Sequence, residues 1–335
     1  MIELSEANVL EYLERAHHLP RTGLRVATLA GGVSNTVLLV EGGGVRLVLK
    51  QSLGKLRVAQ DWFSSRERIR KEYGILERLE NRLPSGSLPR VLFSDPENFT
   101  FAMTAAPKGA ETWKDRLLRG DVDPKIATRV AELLAGLIRA GRESGELRRE
   151  FASQTVFDEL RLDPYYRATA VRHPDLASYF GELIDMCRVR DYSLVHGDWS
   201  PKNFLVAGSS LVSIDWEVIH AGDPSFDAAF LTNHLVLKSF HQPCWGVRYR
   251  DAGIAFWHAL RAGLPEAAQS WFELSAVRHL AGLLLARIDG KSPVEYLRTA
   301  DQQSAVRSFA RSLIAEPPTQ MEEVFERSAH ATHSA

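Results

Sequence analysis

The apolar residues of this 335-residue chain change their spacing near residue 110, and that change sets the fold. Before it they fall in strand-length runs parted by turns: LRVATLA (24–30), TVLLVE (36–41), VRLVLKQ (45–51), RVLFSD (90–95) and FTFAMTA (98–104). The GGG between the second and third runs is a hairpin signal. One helical stretch interrupts them, from Ser65 to Leu83, with Ile69, Tyr73, Leu76 and Leu79 at helical spacing and LPSGSLP as its stop. APKGAETW (106–113) then reads as a linker. Beyond it the pattern is helical: PKIATRVAELLAGLIRAGR (124–142), segments near 155–170 and 174–190, and helices near 227–240, 249–262, 265–288 and 293–315. Short strands at 192–196, 203–207 and 211–216 form a small polar hairpin region within that part. The polar end after about Pro317 reads as loose.

The expected fold class is α+β and bilobal. An N-terminal antiparallel five-stranded sheet with one main helix takes residues 1–105, and a larger, mainly helical part takes 106–335. A hinge at about 103–113 joins them, and the cleft between lobes is where a small ligand belongs. The length agrees, being too great for one small core.

Composition narrows the setting. Hydrophobic content of 45% and charged content of 25% are those of a soluble globular protein. A formal charge of −1 leaves no basic surplus for a duplex, so nucleic acid is not an expected partner. Runs such as LAGLLLA (280–286) fall short of a bilayer span, and the acidic, amphipathic N-terminus is unlike a signal peptide. No membrane partner is expected. Cys187 and Cys244 are the only cysteines, which excludes a disulfide framework and zinc-ligand spacing. The expected location is the reducing cytoplasm.

Five features in chain order carry the chemistry. GGVSN (31–35) lies between two strands. Gly31 and Gly32 let backbone N–H groups approach phosphates, Val33 follows them, and Ser34 and Asn35 add polar donors; a plain hairpin turn is the alternative. Lys50 ends VRLVLK, placed either to neutralise nucleotide phosphates or to lie with its head in solvent. Glu72, in RIRKEYGILERL, is the acid best placed to turn inward and pair with Lys50, with Glu67 and Glu77 as competitors. In HGDWSPKN, Asp198 and Asn203 stand five residues apart. That spacing lets Asp198 accept a hydroxyl proton while the Asn203 amide oxygen coordinates magnesium. His196 reads as a structural tie for the loop, Pro201 as a stiffener and Lys202 as exposed. In SIDWE, Asp215 ends an apolar strand, and a hairpin turning at AGSS returns it beside Asn203; the alternative is an Asp that caps the next element. A carboxylate, a carboxamide and phosphate oxygens form a hard-oxygen set that suits magnesium.

Taken together, GGVSN, LVLK, the helical Glu, HGDWSPKN, SIDWE and GDPSFD resemble the aminoglycoside phosphotransferase and choline kinase family, small-molecule kinases with a protein-kinase-like fold. The match runs from about residue 24 to 240. It implies ATP, with GTP as the alternative, together with Mg2+, and phosphoryl transfer to a hydroxyl of a sugar, amino alcohol or aminoglycoside-like molecule. Asp198 would be the base, Asn203 and Asp215 the metal ligands, and Lys50 with Glu72 the phosphate clamp. Gly31, Gly32, Val33, Ser34 and Asn35 would cover the nucleotide. Met103 to Pro107 would meet adenine through the backbone, with Met103 and Ala105 as contacts. Asp215 is followed within a few residues by AGDPSFDAAF, which leaves no activation segment of the protein-kinase type. A silent nucleotide-binding protein of the same fold is the other reading, and such proteins shed the base or a metal ligand. Here Lys50, Asp198, Asn203 and Asp215 are all present.

The acceptor is less legible. Asp223 and Asp227 read as caps that hold the catalytic loop rather than substrate contacts. AAFLTNHLVLKSF and AVRHLAGLLLARIDGKSP place Asn233, His234, Lys238, Arg278, His279, Arg287, Asp289 and Lys291 in the helical part. They read either as surface charges or as the lining of a pocket for a neutral or anionic hydroxylated metabolite.

Overall fold

The computed structural model describes residues 2–17, 19, 23–29, 34–55 and 64–333. The N-terminal region is a helix α1 (Val9–His17), strands β1 (Arg25–Thr28), β2 (Asn35–Gly42) and β3 (Val45–Ser52), helix α2 (Arg68–Leu79), and strands β4 (Val91–Asp95) and β5 (Thr100–Thr104). The five strands form one antiparallel sheet in the order β1-β2-β3-β5-β4. β3 is central, and its residues from Leu47 to Ser52 are all buried because both faces of the sheet are covered. Alternation sends Leu47 and Leu49 toward α1, into a cluster with Val9 and Leu13. Val48 and Lys50 face the other way, toward α2. A buried lysine on that face needs a partner, and α2 supplies it.

The helical part opens with β6 (Glu111–Thr112), α3 (Trp113–Leu118), α4 (Pro124–Glu143) and α5 (Gly145–Glu150). Next comes α6 (Thr155–Phe157), which runs through a wider-turned segment, Asp158–Arg167, into α7 (Ala168–Arg172). Helix α8 (Ala177–Val189) leads to the short strands β7 (Ser193–Val195), β8 (Phe204–Ala207), β9 (Ser210–Ser213) and β10 (His220–Gly222). The chain closes with α9 (Ser225–His241), α10 (Gly246–Gly263), α11 (Phe272–Asp289), α12 (Ala300–Ala315) and α13 (Met321–His333). Every residue of α9 from Ser225 to Phe240 is buried, so this helix is the axis of the region and carries no solvent face. Among the described residues, no helix is long and apolar enough to cross a membrane.

Several boundaries differ from the sequence reading: the helix expected near 265–288 begins at Phe272, and the strand expected at 211–216 ends at Ser213. The stretch near 293–315 becomes helical only at Ala300, where Thr299 and Gln302 form a capping box. The end after Pro317 is not loose: α13 buries Met321, Val324, Phe325 and Ala329. Its polar residues mask an apolar stripe at helical spacing. Helices α10 and α13 cross at Gly253, where a Cβ would lie 2.3 Å from the Phe325 ring. Truncation after Pro317 is expected to cost about 5 kcal/mol or more, since each large apolar side chain buried contributes ~1.5–3 kcal/mol. A chemical denaturation midpoint unchanged by the truncation would contradict this.

Candidate active site

The site assembles from both regions around one series of ion pairs. Helix α2 buries Ile69, Glu72, Ile75, Leu76 and Leu79, so Glu72 stands on its apolar face against the sheet. Glu67 pairs instead with Arg70, and Glu77 is exposed. Lys50 Nζ lies 2.7 Å from Glu72 and 2.6 Å from Asp215. Burial disfavours the Lys50 charge, but Asp215, Glu72 and Glu217 outweigh it and raise its pKa. Interment likewise pushes the Glu72 carboxyl up, with Lys50 opposing.

Local structure explains how Asp198 and Asn203 come to face Asp215. The loop after β7 is pinned by Asp227 in the first turn of α9, whose carboxylate accepts from the N–H groups of His196 (2.6 Å) and Gly197 (2.9 Å). Gly197 has φ 77°, and a Cβ there would meet Val218 at 2.6 Å, so glycine is required. The Asp198 carbonyl accepts from Ser200 N–H and the Asn203 amide. Asn203 then starts the β8–β9 hairpin, in which Phe204 pairs with Ser213, and the Ile214 N–H donates to the Asn203 carbonyl at 2.9 Å. Asp215 is thereby delivered beside Asn203. It adopts φ 67°. Its carboxyl is held low, to about 2: burial opposes ionisation, and Lys50 and Lys202 overcome that.

Asp198 is buried and doubly paired, with Arg161 Nη2 at 3.0 Å and Lys202 Nζ at 2.8 Å. Burial alone would raise its pKa; the two cations hold it well below the usual carboxylate range. It is a carboxylate throughout any working pH. His196 ties the loop as its position suggested. Its Nδ1 accepts from the Asp198 N–H at 3.2 Å, so Nε2 carries the proton and faces the Ile214 carbonyl at 3.3 Å. Burial keeps this ring neutral, with a pKa near 4.

The remaining expected residues are spread over several elements. Gly31, Gly32 and Val33 lie outside the described residues. The side chains of Ser34 and Asn35 turn toward Glu217: Ser34 Oγ and Asn35 Nδ2 each donate to it at 2.8 Å. The reason is Arg68, fully buried at the start of α2. It donates to Glu217 at 3.1 Å and to the carbonyls of Ser34, Leu53, Ser64 and Ser65. Lys202 is half-exposed yet ion-paired to Asp198 and 3.8 Å from Asp215, not idle in solvent. Met103 sits in β5 opposite Val48 and Val91, and Ala105 just follows the strand. Glu217 and Arg161 were missed. The second acid of IDWE was a visible signal for the first; nothing in RLDPYYR marked the second.

As for a metal, the Asn203 Oδ1 makes no hydrogen bond within the described residues, because Nδ2 alone holds the Asp198 carbonyl. With Asp215 it offers two hard oxygens and no thiol or imidazole, which fits magnesium. Glu72, Asp215 and Glu217 also bring carboxylate oxygens within 4.8 Å of one another. Lys50 already neutralises the first two of that trio.

Four interred imidazoles surround this frame. His196, His220 and His279 are held neutral by burial, at about 4, 3 and 3, and His234 lies well below its ordinary value. The unfolded chain protonates each as pH falls through about 6.5, while the folded form does not. Stability is therefore expected to drop below pH 6.5, by up to ~1.4 kcal/mol per pH unit for each histidine. Asp227 and Glu72, each pushed up to about 7 by burial, work in the opposite sense and offset two of them. A denaturation midpoint that stays flat between pH 6.5 and 4.5 would refute this.

This geometry is a kinase-like phosphotransferase frame, and comparison with known proteins agrees. Residues 25–270 match the phosphotransferase enzyme family model (APH), and the chain belongs to that family. A methylthioribose kinase of Escherichia coli O45:K1 is 26% identical over 276 residues, covering 74% of this chain. The chain spans 64% of the length of that relative. Among solved structures, the fold is shared with the amicoumacin kinase hAmiN (TM-score 0.59, 13% identity, 97% of each chain). It is also shared with a Plasmodium vivax ethanolamine kinase (0.55, 13%, 94% of this chain and 92% of that one). A choline/ethanolamine kinase family protein from Mesorhizobium loti is similar too (0.53, 17%, 98% and 99%). The protein-kinase-like bilobal α+β fold expected from the sequence is the one found.

Proposed function

We propose that this protein transfers the γ-phosphoryl group of ATP, with GTP as the alternative donor, to a hydroxyl of a small molecule. The observation that carries this reading is a single continuous network. Glu72, Lys50, Asp215, Lys202, Asp198 and Arg161 are linked at ion-pair distance, and Asn203 is hydrogen-bonded to the Asp198 backbone. Lys50, held by Glu72, neutralises phosphate charge. Asp198 orients the acceptor hydroxyl and takes its proton as the P–O bond forms, a role for which a firmly ionised carboxylate suffices in a loose transition state. Lys202, between the two acids, is placed to follow the migrating charge. Asn203 and Asp215 would hold magnesium, which supplies electrostatic neutralisation of the phosphates. With a division into lobes at about 103–113, Met103 and Ala105 would meet the nucleotide.

The relatives' printed names support a small-molecule acceptor: methylthioribose, ethanolamine and amicoumacin kinases. So does the connection from Asp215 to α9, which begins at Ser225 and leaves only 216–224 between them. No peptide-docking loop fits in that span. The test is an ADP-release screen over sugars, amino alcohols, aminoglycosides and nucleosides, with and without EDTA. Turnover that survives chelation would refute the metal assignment, and binding of ATP with no turnover on any acceptor would favour a silent binder.

A further inference from the structure

Three lysine and arginine side chains are almost wholly buried among the described residues: Lys50, Arg68 and Lys238. The first two have carboxylate partners, Glu72 with Asp215 and Glu217 respectively. Lys238 has none. Its Nζ meets the His234 carbonyl at 3.3 Å and the Tyr296 ring at 5.0 Å. The neighbouring Glu295 is taken by Lys114. An interred ammonium without a counter-charge is costly, and burial depresses Lys238 to about 7.

Its surroundings are equally short of partners. Arg287 bonds only neutral groups, the Tyr165 hydroxyl and Ser292, and its Nε is buried without an acceptor. The Tyr296 hydroxyl is also buried and unpartnered, as is Nδ1 of His241, whose ring lies 5.2 Å from that of Tyr296. Buried polar groups are seldom left unmet beside an unpaired ammonium, and a ligand carrying acceptor oxygens would satisfy them.

The cluster is continuous with the reaction centre. Asp198 pairs with Arg161, whose guanidinium lies 5.7 Å from the Phe230 ring and 5.8 Å from the Tyr165 ring. Arg287 lies 5.5 Å from that same Tyr165 ring, and the His234 ring is 5.5 Å from Phe230. Asp227, Phe230, His234 and Lys238 share one face of α9. That face spans roughly 16 Å at 1.5 Å per residue, and the lysine stem reaches back toward the loop. Resting on the kinase reading above, we propose that the acceptor is a hydroxylated anion whose carboxylate or phosphate is bound by Lys238 and Arg287. The remaining polar residues noted in the sequence have structural partners: Arg278 with Glu182, His279 with Tyr166, Asp289 with Arg307, Lys291 with Asp163.

Matched acceptors test it: ribose 5-phosphate against ribose, and gluconate against sorbitol, with kanamycin as a cationic comparison. Turnover is followed by ADP release and binding by calorimetry with ADP and magnesium present. At least one anionic member is expected to exceed its neutral partner tenfold in kcat/KM, the phosphate and carboxylate arms showing which anion is read. Lys238→Met should erase that preference while raising thermal stability at pH 6.5, which a purely structural lysine would not do. Arg287→Met is the second variant. Preference for neutral or cationic acceptors, or a preference that survives Lys238→Met, overturns the inference and leaves the kinase reading standing. Lys238-dependent anion binding without any phosphoryl transfer does the reverse. No binding of either anion overturns the inference as well.

Discussion

Asp198→Asn is expected to lower kcat by about a thousandfold, roughly 4 kcal/mol in the barrier, while ATP–magnesium affinity changes little. The substitution keeps the side-chain outline and removes the charge. Two effects then combine. The acceptor hydroxyl loses its proton acceptor, and Arg161 and Lys202 lose the carboxylate on which both converge. The freed cations would reorganise across the place where the transferred group must pass. Because Asp198 is held ionised far below neutrality, the wild-type rate should show no acid limb from this group between pH 5 and 8. Single-turnover kinetics would check both points. A rate within tenfold of wild type would remove Asp198 from the chemistry.

Arg68→Met is expected to destabilise the fold by about 3–5 kcal/mol, the range found when one partner of a buried ion pair is removed. The guanidinium is fully buried and serves Glu217 together with the carbonyls of Ser34, Leu53, Ser64 and Ser65. Methionine fills part of the volume but satisfies none of these acceptors. Glu217 would keep only the neutral donors of Ser34 and Asn35. The pair with Glu217→Gln should be less than additive by more than ~1 kcal/mol, because the second substitution removes the stranded charge left by the first. Urea midpoints of the four proteins measure this. A loss below 1 kcal/mol for Arg68→Met would show that the network is not a determinant of stability.

Much of this arrangement was legible in the residues because it is local. Strands β1 to β5 and helix α4 follow the apolar spacing within a residue or two. Glu72 could be singled out because a helix fixes which residues share a face. The Asn203–Asp215 approach followed from one hairpin. What stayed hidden depends on contacts between distant segments. Arg161 reaches Asp198 from a helix segment of wider turn, and Arg68 captures Glu217 across the cleft. Each such residue looks in sequence like any solvated cation. Lys238 is the sharpest case: it was as consistent with a surface helix as with a pocket, and only the burial of α9 on all sides rules out the surface helix.

The backbone at Asp215 constrains the chain in a way that its charge does not. Asp215 and Phe99 are the two non-glycine residues with left-handed φ among those described. Residues other than glycine, asparagine and aspartate enter that region at a cost of about 1–2 kcal/mol. The position is thus filtered twice, once for a carboxylate and once for a tolerable main chain, and aspartate is the one residue that meets both conditions. Glutamate would keep the charge and lose the geometry, whereas asparagine keeps the geometry and loses the charge. A variant made to isolate the electrostatic contribution therefore has to be Asp215→Asn, since alanine would report backbone strain and lost charge as one number.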